Sequence, residues 1–98
     1  MKVIVSARAE RDVIEILDGL ARDNAAAATD LNAQFNQRLT QLTRLPRMGR
    51  LRSDIDDGLR GLLVRPYVLF YRIENDDILV VRVLHGSRDL RQALNDDR

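Results

Sequence analysis

The residues from 65 to 89 leave this chain the least conformational freedom. Two runs, Tyr67-Val68-Leu69-Phe70-Tyr71-Arg72-Ile73 and Ile78-Leu79-Val80-Val81-Arg82-Val83-Leu84, are rich in β-branched and aromatic residues and are joined only by Glu74-Asn75-Asp76-Asp77. Such runs across a short polar link, with Asn75 and Asp76 tolerant of positive φ, predict a β-hairpin. In the first strand Tyr67, Leu69, Tyr71 and Ile73 share one face, and Val68, Phe70 and Arg72 share the other. Both faces are largely apolar, so this strand is expected at the centre of a sheet, and the rest of the chain must supply its cover.

The upstream sequence supplies two amphipathic helices. Ser6 is placed to cap a helix from Ala7 to about Arg22, in which Val13, Ile14, Leu17, Leu20 and Ala21 recur at helical spacing. Arg8, Glu10, Arg11, Asp12, Glu15 and Asp18 fall off that stripe. Asp23 or Asn24 can cap a second helix, whose seam of Ala28, Leu31, Phe35, Leu39, Leu42 and Leu45 runs until Pro46 stops it. Two antiparallel helices joined by two or three residues follow, with both stripes read as core. Before them, residues 2–5 form a β-branched run compatible with a buried strand. After them, Arg44-Leu-Pro-Arg-Met-Gly-Arg-Leu-Arg52 reads as a loop, with Gly58 closing a turn beyond it. Residues 59–64 read as a further strand, and a light helix runs from about Ser87 or Arg88 to Leu94. Asp96, Asp97 and Arg98 are expected to be mobile. The order predicts an α+β fold: an N-terminal strand and helical hairpin packed on a mainly antiparallel sheet of about four strands, with a short C-terminal helix. At 98 residues, one domain spanning 1–98 is expected.

Composition narrows the chemistry. No cysteine is present and there is one histidine, so disulfides and thiolate metal sites are excluded and no metal is expected. No apolar run reaches the roughly 20 residues that span a bilayer, and the first residues are too short an apolar block for a signal peptide, which predicts a cytoplasmic protein away from membranes. Charge is unevenly spread. Residues 38–72 carry eight bases and three acids, a net of +5, whereas the flanking segments each carry four bases and six acids. Every base but Lys2 is arginine, the side chain suited to forked contacts with carboxylates and phosphates. This block is either a solvated surface or the meeting place for an acidic partner. Asp54, Asp56 and Asp57 are near enough in sequence to neutralise part of it.

Cofactor-dependent chemistry has no foothold, because there is no phosphate-binding glycine loop, no dinucleotide fingerprint and no nucleophile elbow. With only Phe35, Tyr67, Phe70 and Tyr71 as aromatics, the chain lacks a stacking platform for single strands, and no helix is suited to direct, sequence-specific nucleic-acid reading. His85, the single histidine, is the candidate around which catalysis would be built; paired strands are expected to bring Arg72, Arg82, Arg88 and Tyr71 near it. A His general acid beside an Arg clamp suits RNA cleavage through the 2′-hydroxyl. The alternative is a half-buried, hydrogen-bonded His at a strand end.

In order and spacing, the opening strand into a helical hairpin, Leu45-Pro46-x-x-Gly49-Arg50, Leu59-Arg60, Tyr67-x-x-Phe70-Tyr71-Arg72-Ile73 and Val83-Leu84-His85-Gly86-x-Arg88-Asp89 resemble the ParE/RelE superfamily of type II toxins, and more closely its ParE, or plasmid-stabilisation, branch. The resemblance covers nearly the whole chain. It implies a toxin without cofactor, neutralised by a ParD-like antitoxin whose acidic, apolar C-terminal segment folds around it. In the ParE branch the implied target is DNA gyrase, bound rather than cleaved. The alternative is a RelE-like ribosome-dependent mRNA endonuclease, for which Arg72, His85 and Arg88 would be the catalytic set. Such nucleases usually carry an Arg just after the Tyr that starts the central strand, and Val68 stands there. The near-neutral net charge also suits ribosomal RNA poorly. A protein-binding toxin with no assigned catalytic residue is therefore preferred, with Arg47, Arg50, Arg52, Arg60, Arg72, His85 and Arg88 as the residues that meet antitoxin or target. Arg72 and Asp89 are expected as a structural pair. A third alternative is a folded, inactive module that keeps its partner but has lost its target surface.

Overall fold

The computed structural model describes residues 1–95; Asp96, Asp97 and Arg98 lie outside the described residues. Strand β1 (Val3–Val5) leads into helices α1 (Ala7–Asp23) and α2 (Ala25–Arg44), followed by strands β2 (Arg50–Leu51), β3 (Arg60–Val64), β4 (Tyr67–Glu74) and β5 (Asp77–His85) and helix α3 (Leu90–Asn95). The sheet order is β1-β5-β4-β3-β2, all antiparallel except β1 beside β5, so β4 is the middle strand as its two apolar faces require. The hairpin turn is where the sequence places it: Asn75 and Asp76 have φ of 52° and 65°, the twist that two-residue connections need. One residue, Val81, is extra on β5, between the pairs Tyr71↔Val80 and Phe70↔Arg82.

Each face of the sheet has its own core. Tyr71, Leu69, Ile78, Val80, Val83, Leu62 and Val64 pack against Ala9, Leu31, Phe35 and Leu42 of the two long helices. On the other face Val68, Phe70, Leu84 and Leu59 pack against Ala93, with Ile55, Leu90 and Leu94 at the margin. Burying a side chain such as Phe70 or Leu84 contributes about 1.5–3 kcal/mol, so the six-residue α3 is held by tertiary packing rather than by its own propensity.

The helices begin as their caps dictate. Ser6 Oγ accepts from the Ala9 N–H, and Asn24 Oδ1 accepts from the Ala27 N–H. Asn24 is the only residue between α1 and α2, not one of two or three, because it serves both: its own N–H also donates to Leu20 O at the end of α1.

Other departures from the sequence expectation have local causes. The sheet has five strands rather than about four, because Arg50 and Leu51 pair with Gly61 and Arg60 inside what reads as a loop. Strand β1 lies at the sheet edge, with Ile4 and Val5 partly exposed rather than buried. In α1 the inward stripe is Ala9, Val13, Ile16, Leu17 and Leu20, while Ile14 and Ala21 face solvent. Leu45 follows the last turn of α2 and is exposed, so the seam ends at Leu42. Helix α3 starts at Leu90, later than expected, because Asp89 caps it by accepting from the Gln92 N–H.

Candidate functional site

The arginine-rich segment after α2 is held by the sheet itself. Tyr71, fully buried on β4, donates its hydroxyl to Pro46 O at 2.7 Å and accepts from the Gly49 N–H at 2.9 Å. Arg60 Nη1 donates to Gly49 O at 2.9 Å and to Arg47 O at 3.2 Å. Gly49 lies so close to the Tyr71 ring that a Cβ there would stand 2.6 Å from a ring carbon. Burial pushes the Tyr71 phenol above its ordinary range, which keeps it a neutral donor.

Around this scaffold five of the expected binding residues, Arg47, Arg50, Arg52, Arg60 and Arg72, gather at one end of the sheet. They are not equivalent. Arg52 Nε and Nη2 grip Asp54, both at 3.0 Å, and the guanidinium holds that carboxyl below the usual range while its own pKa is raised. Arg72 Nη2 lies 2.6 Å from Asp56 Oδ2, and Nη1 donates to Asp57 O, next to Gly58 at φ +74°. Arg60 braces the backbone. Arg47 and Arg50 are exposed and have no ion pair among the described residues, which makes them the accessible charges of the cluster.

The other two expected residues lie elsewhere. His85 pairs with Tyr67, whereas Arg72 pairs with Leu79 near the opposite end of the hairpin. The five strand positions between Tyr67 and Arg72 correspond to about 17 Å at roughly 3.3 Å per residue. The expected grouping of Arg72, Tyr71 and Arg82 with His85 is therefore not formed, because strand register separates them. The expected Arg72–Asp89 pair is absent too: Arg72 is taken by Asp56 and Asp89 by the α3 cap.

His85 itself packs edge-on to Tyr67, ring centroids 5.5 Å apart, and its Nδ1 accepts from the Ser87 N–H at 3.1 Å. In the neutral ring this leaves the proton on Nε2. A shallow cavity of about 230 Å³ lies beside it, lined by Asp12, Glu15, Ile16, Tyr67, Val83, Leu84, His85 and Arg88. Val68, the position at which the nuclease alternative calls for an Arg, is buried in the α3-side core and offers no charge.

Sequence reasoning missed the most deeply buried polar unit. Arg82 Nε and Nη2 donate to the two oxygens of Asp12 at 2.8 and 3.2 Å, and Arg82 Nη1 donates to Ala93 O at 2.9 Å. Asp12 Oδ2 also accepts from the Val83 N–H at 3.0 Å, so one carboxylate covers the edge of β5 where β1 has ended. Asp12 was expected to face solvent and Arg82 to lie beside His85. Two signals were present. Asp12 is three residues after Ala9 and four before Ile16, on the inward stripe, and Arg82 interrupts an otherwise apolar strand.

Among the described residues no group of histidine or acidic side chains is arranged to hold a metal, and no helix is long and apolar enough to cross a membrane.

Comparison with known proteins agrees with this architecture. The chain is 39% identical over 54 residues to Toxin ParE3 of Caulobacter vibrioides, a match that spans 55% of this chain and about half, 54%, of that relative. Its fold superposes on a solved structure described as the chromosomal ParDE TA system from P. aeruginosa, with a TM-score of 0.74 and 20% identity, covering 87% of this chain and 95% of that one. The sequence pattern of the ParE toxin of type II toxin-antitoxin systems, parDE, matches residues 3–90, and the chain thus belongs to the ParE toxin family.

Proposed function

We propose that the 98 residues form a single toxin domain that acts by binding DNA gyrase in the cytoplasm, and that a ParD-like antitoxin neutralises it by lying along the groove between the helices and the sheet. The observation that carries this reading is the separation of Arg72 from His85 and Arg88. A phosphate clamp and a general acid must act on the same few atoms; His85 and Arg88 share a cavity, but Arg72 lies at the other end of the hairpin bound to Asp56, so the three do not converge on one phosphate. Val68 adds packing where a nuclease would need charge. Arg47 and Arg50, by contrast, are exposed cations on a backbone fixed by Tyr71 and Arg60, a preorganised surface for a protein partner.

The test is direct. Purified protein added to gyrase and supercoiled plasmid should reduce supercoiling or raise the amount of cleaved, gyrase-bound DNA. No change in either at a large excess of protein sinks the gyrase reading. Codon-positioned cuts in mRNA on translating ribosomes, abolished by His85→Ala, would instead identify a ribonuclease. Normal growth on expression of the chain alone would point to an inactive module.

A further inference from the structure

We infer that the outward edge of β3 at Leu63 is a strand-addition site for an extended segment in which acidic and apolar residues alternate. This deepens the antitoxin reading by naming a contact on the far side of the sheet from β1, and it rests on that reading for the partner's identity.

The inference begins with hydrogen-bond parity. The Arg52 N–H donates to Leu59 O at 2.7 Å, and Arg50 pairs with Gly61, so Leu59 and Gly61 turn their backbone groups towards β2. Alternation along an antiparallel strand then turns Leu63 the same way, while Leu62 and Val64 bond to β4. Strand β2 stops at two residues, so beyond Gly61 the N–H and C=O of Leu63 face outward, with no strand beside them among the described residues. The other half of this edge is already paired, which leaves one short, defined slot.

What lies over the slot sets the chemistry of its occupant. A groove of about 540 Å³ separates α2 from this edge, reaching Leu63 and Val64 and flanked by Arg38 and Arg65 with Gln34, Gln37 and Gln41. No acid lines it. Arg38 Nη1 donates to Gln41 Oε1, which holds the guanidinium at the groove wall. Side chains of an added strand would alternate between two environments. One set lies under α2, against two arginines and three amides, and suits carboxylates. The other set lies on the face of Val68, beside the Leu63 side chain, which is 52% exposed, and suits apolar residues. Main-chain pairing supplies affinity and the two arginines supply the charge preference.

The experiment uses the full chain and two synthetic nine-residue peptides, one alternating glutamate with valine and the other lysine with valine, with amide exchange followed by NMR. The glutamate peptide should bind at least tenfold more tightly and should slow exchange of the Leu63 N–H at least tenfold, leaving the already paired Leu62 N–H unchanged. Leu63→Pro deletes the outward donor at an edge position where proline is tolerated and should abolish binding. The Arg38→Glu, Arg65→Glu double variant keeps the backbone and should reverse the peptide preference, so the proposal remains testable even if the proline variant unfolds. Equal binding of the two peptides, no binding, or binding without protection of Leu63 overturns it, as does concentration-dependent protection of Leu63 in the free protein, which would place a second copy on the edge. A complex with the antitoxin that leaves Leu63 exchange unaltered overturns the strand-addition site alone. The antitoxin reading fails separately, if co-expressed ParD-like protein neither binds the chain nor restores growth.

Discussion

At the scale of single residues, Tyr71 and Gly49 decide where the arginine segment sits. The tyrosine hydroxyl is both donor and acceptor to the loop, and the glycine leaves room for its ring. Gly49→Ala should cost about 2 kcal/mol of stability, read from urea midpoints, because the ring is buried and cannot swing away. Tyr71→Phe should cost about 1–3 kcal/mol by leaving the Gly49 N–H without its partner. It should also change the alkaline limb. The folded-state pKa of Tyr71 lies above the unfolded value near 10, so the stability it contributes is complete below that value and is lost as pH rises from there through the folded pKa. Wild-type stability should therefore fall above about pH 10, and part of that fall should be missing in the phenylalanine variant.

At the scale of elements, Asp12 and Arg82 tie α1, β5 and α3 together. Their side chains are about 5% exposed or less, so neither charge has water to fall back on. Asp12→Ala should destabilise the protein by about 3–5 kcal/mol, since it takes the carboxylate away from a buried guanidinium and leaves the Val83 N–H without its acceptor. Replacing both members, Asp12→Leu with Arg82→Met, should cost less than Asp12→Ala by removing the buried positive charge as well. If calorimetry shows the double variant to be as unstable as Asp12→Ala, the cost comes from the uncovered β5 edge and not from the buried charge.

For the whole molecule, the ion pairs divide the arginine cluster into charges held by the fold and charges left exposed. Arg47 and Arg50 are exposed, whereas Arg52 and Arg72 already hold Asp54 and Asp56. Arg50→Glu should weaken binding of the ParD-like antitoxin at least tenfold in a titration while moving stability by no more than about 0.5 kcal/mol. Arg52→Glu should weaken it as well, but with a measurable loss of local order because it sets two acids side by side. Unaltered affinity in both variants would remove this end of the sheet from the antitoxin interface.

The fold was largely legible because its signals are local. The Ser6 cap and the Asn75-Asp76 turn act within a few residues and appear where the sequence puts them, Asn24 is the one of two candidate caps that starts α2, and the helical period finds both helices although Ile14, Ala21 and Leu45 face solvent. Arg50 and Leu51 carry no such signal; they are a strand only because β3 offers them an edge. The site was less legible for the same reason. Sequence shows which residues are charged, but register determines which charges meet. The antiparallel pairing of β4 with β5 puts Arg72 and His85 at opposite ends, and 70 residues separate Asp12 from the Arg82 it neutralises. Composition and periodicity determined the elements and the sheet's two-sided burial. Only tertiary structure decided which arginines brace the loop, which one is buried, and which stay exposed.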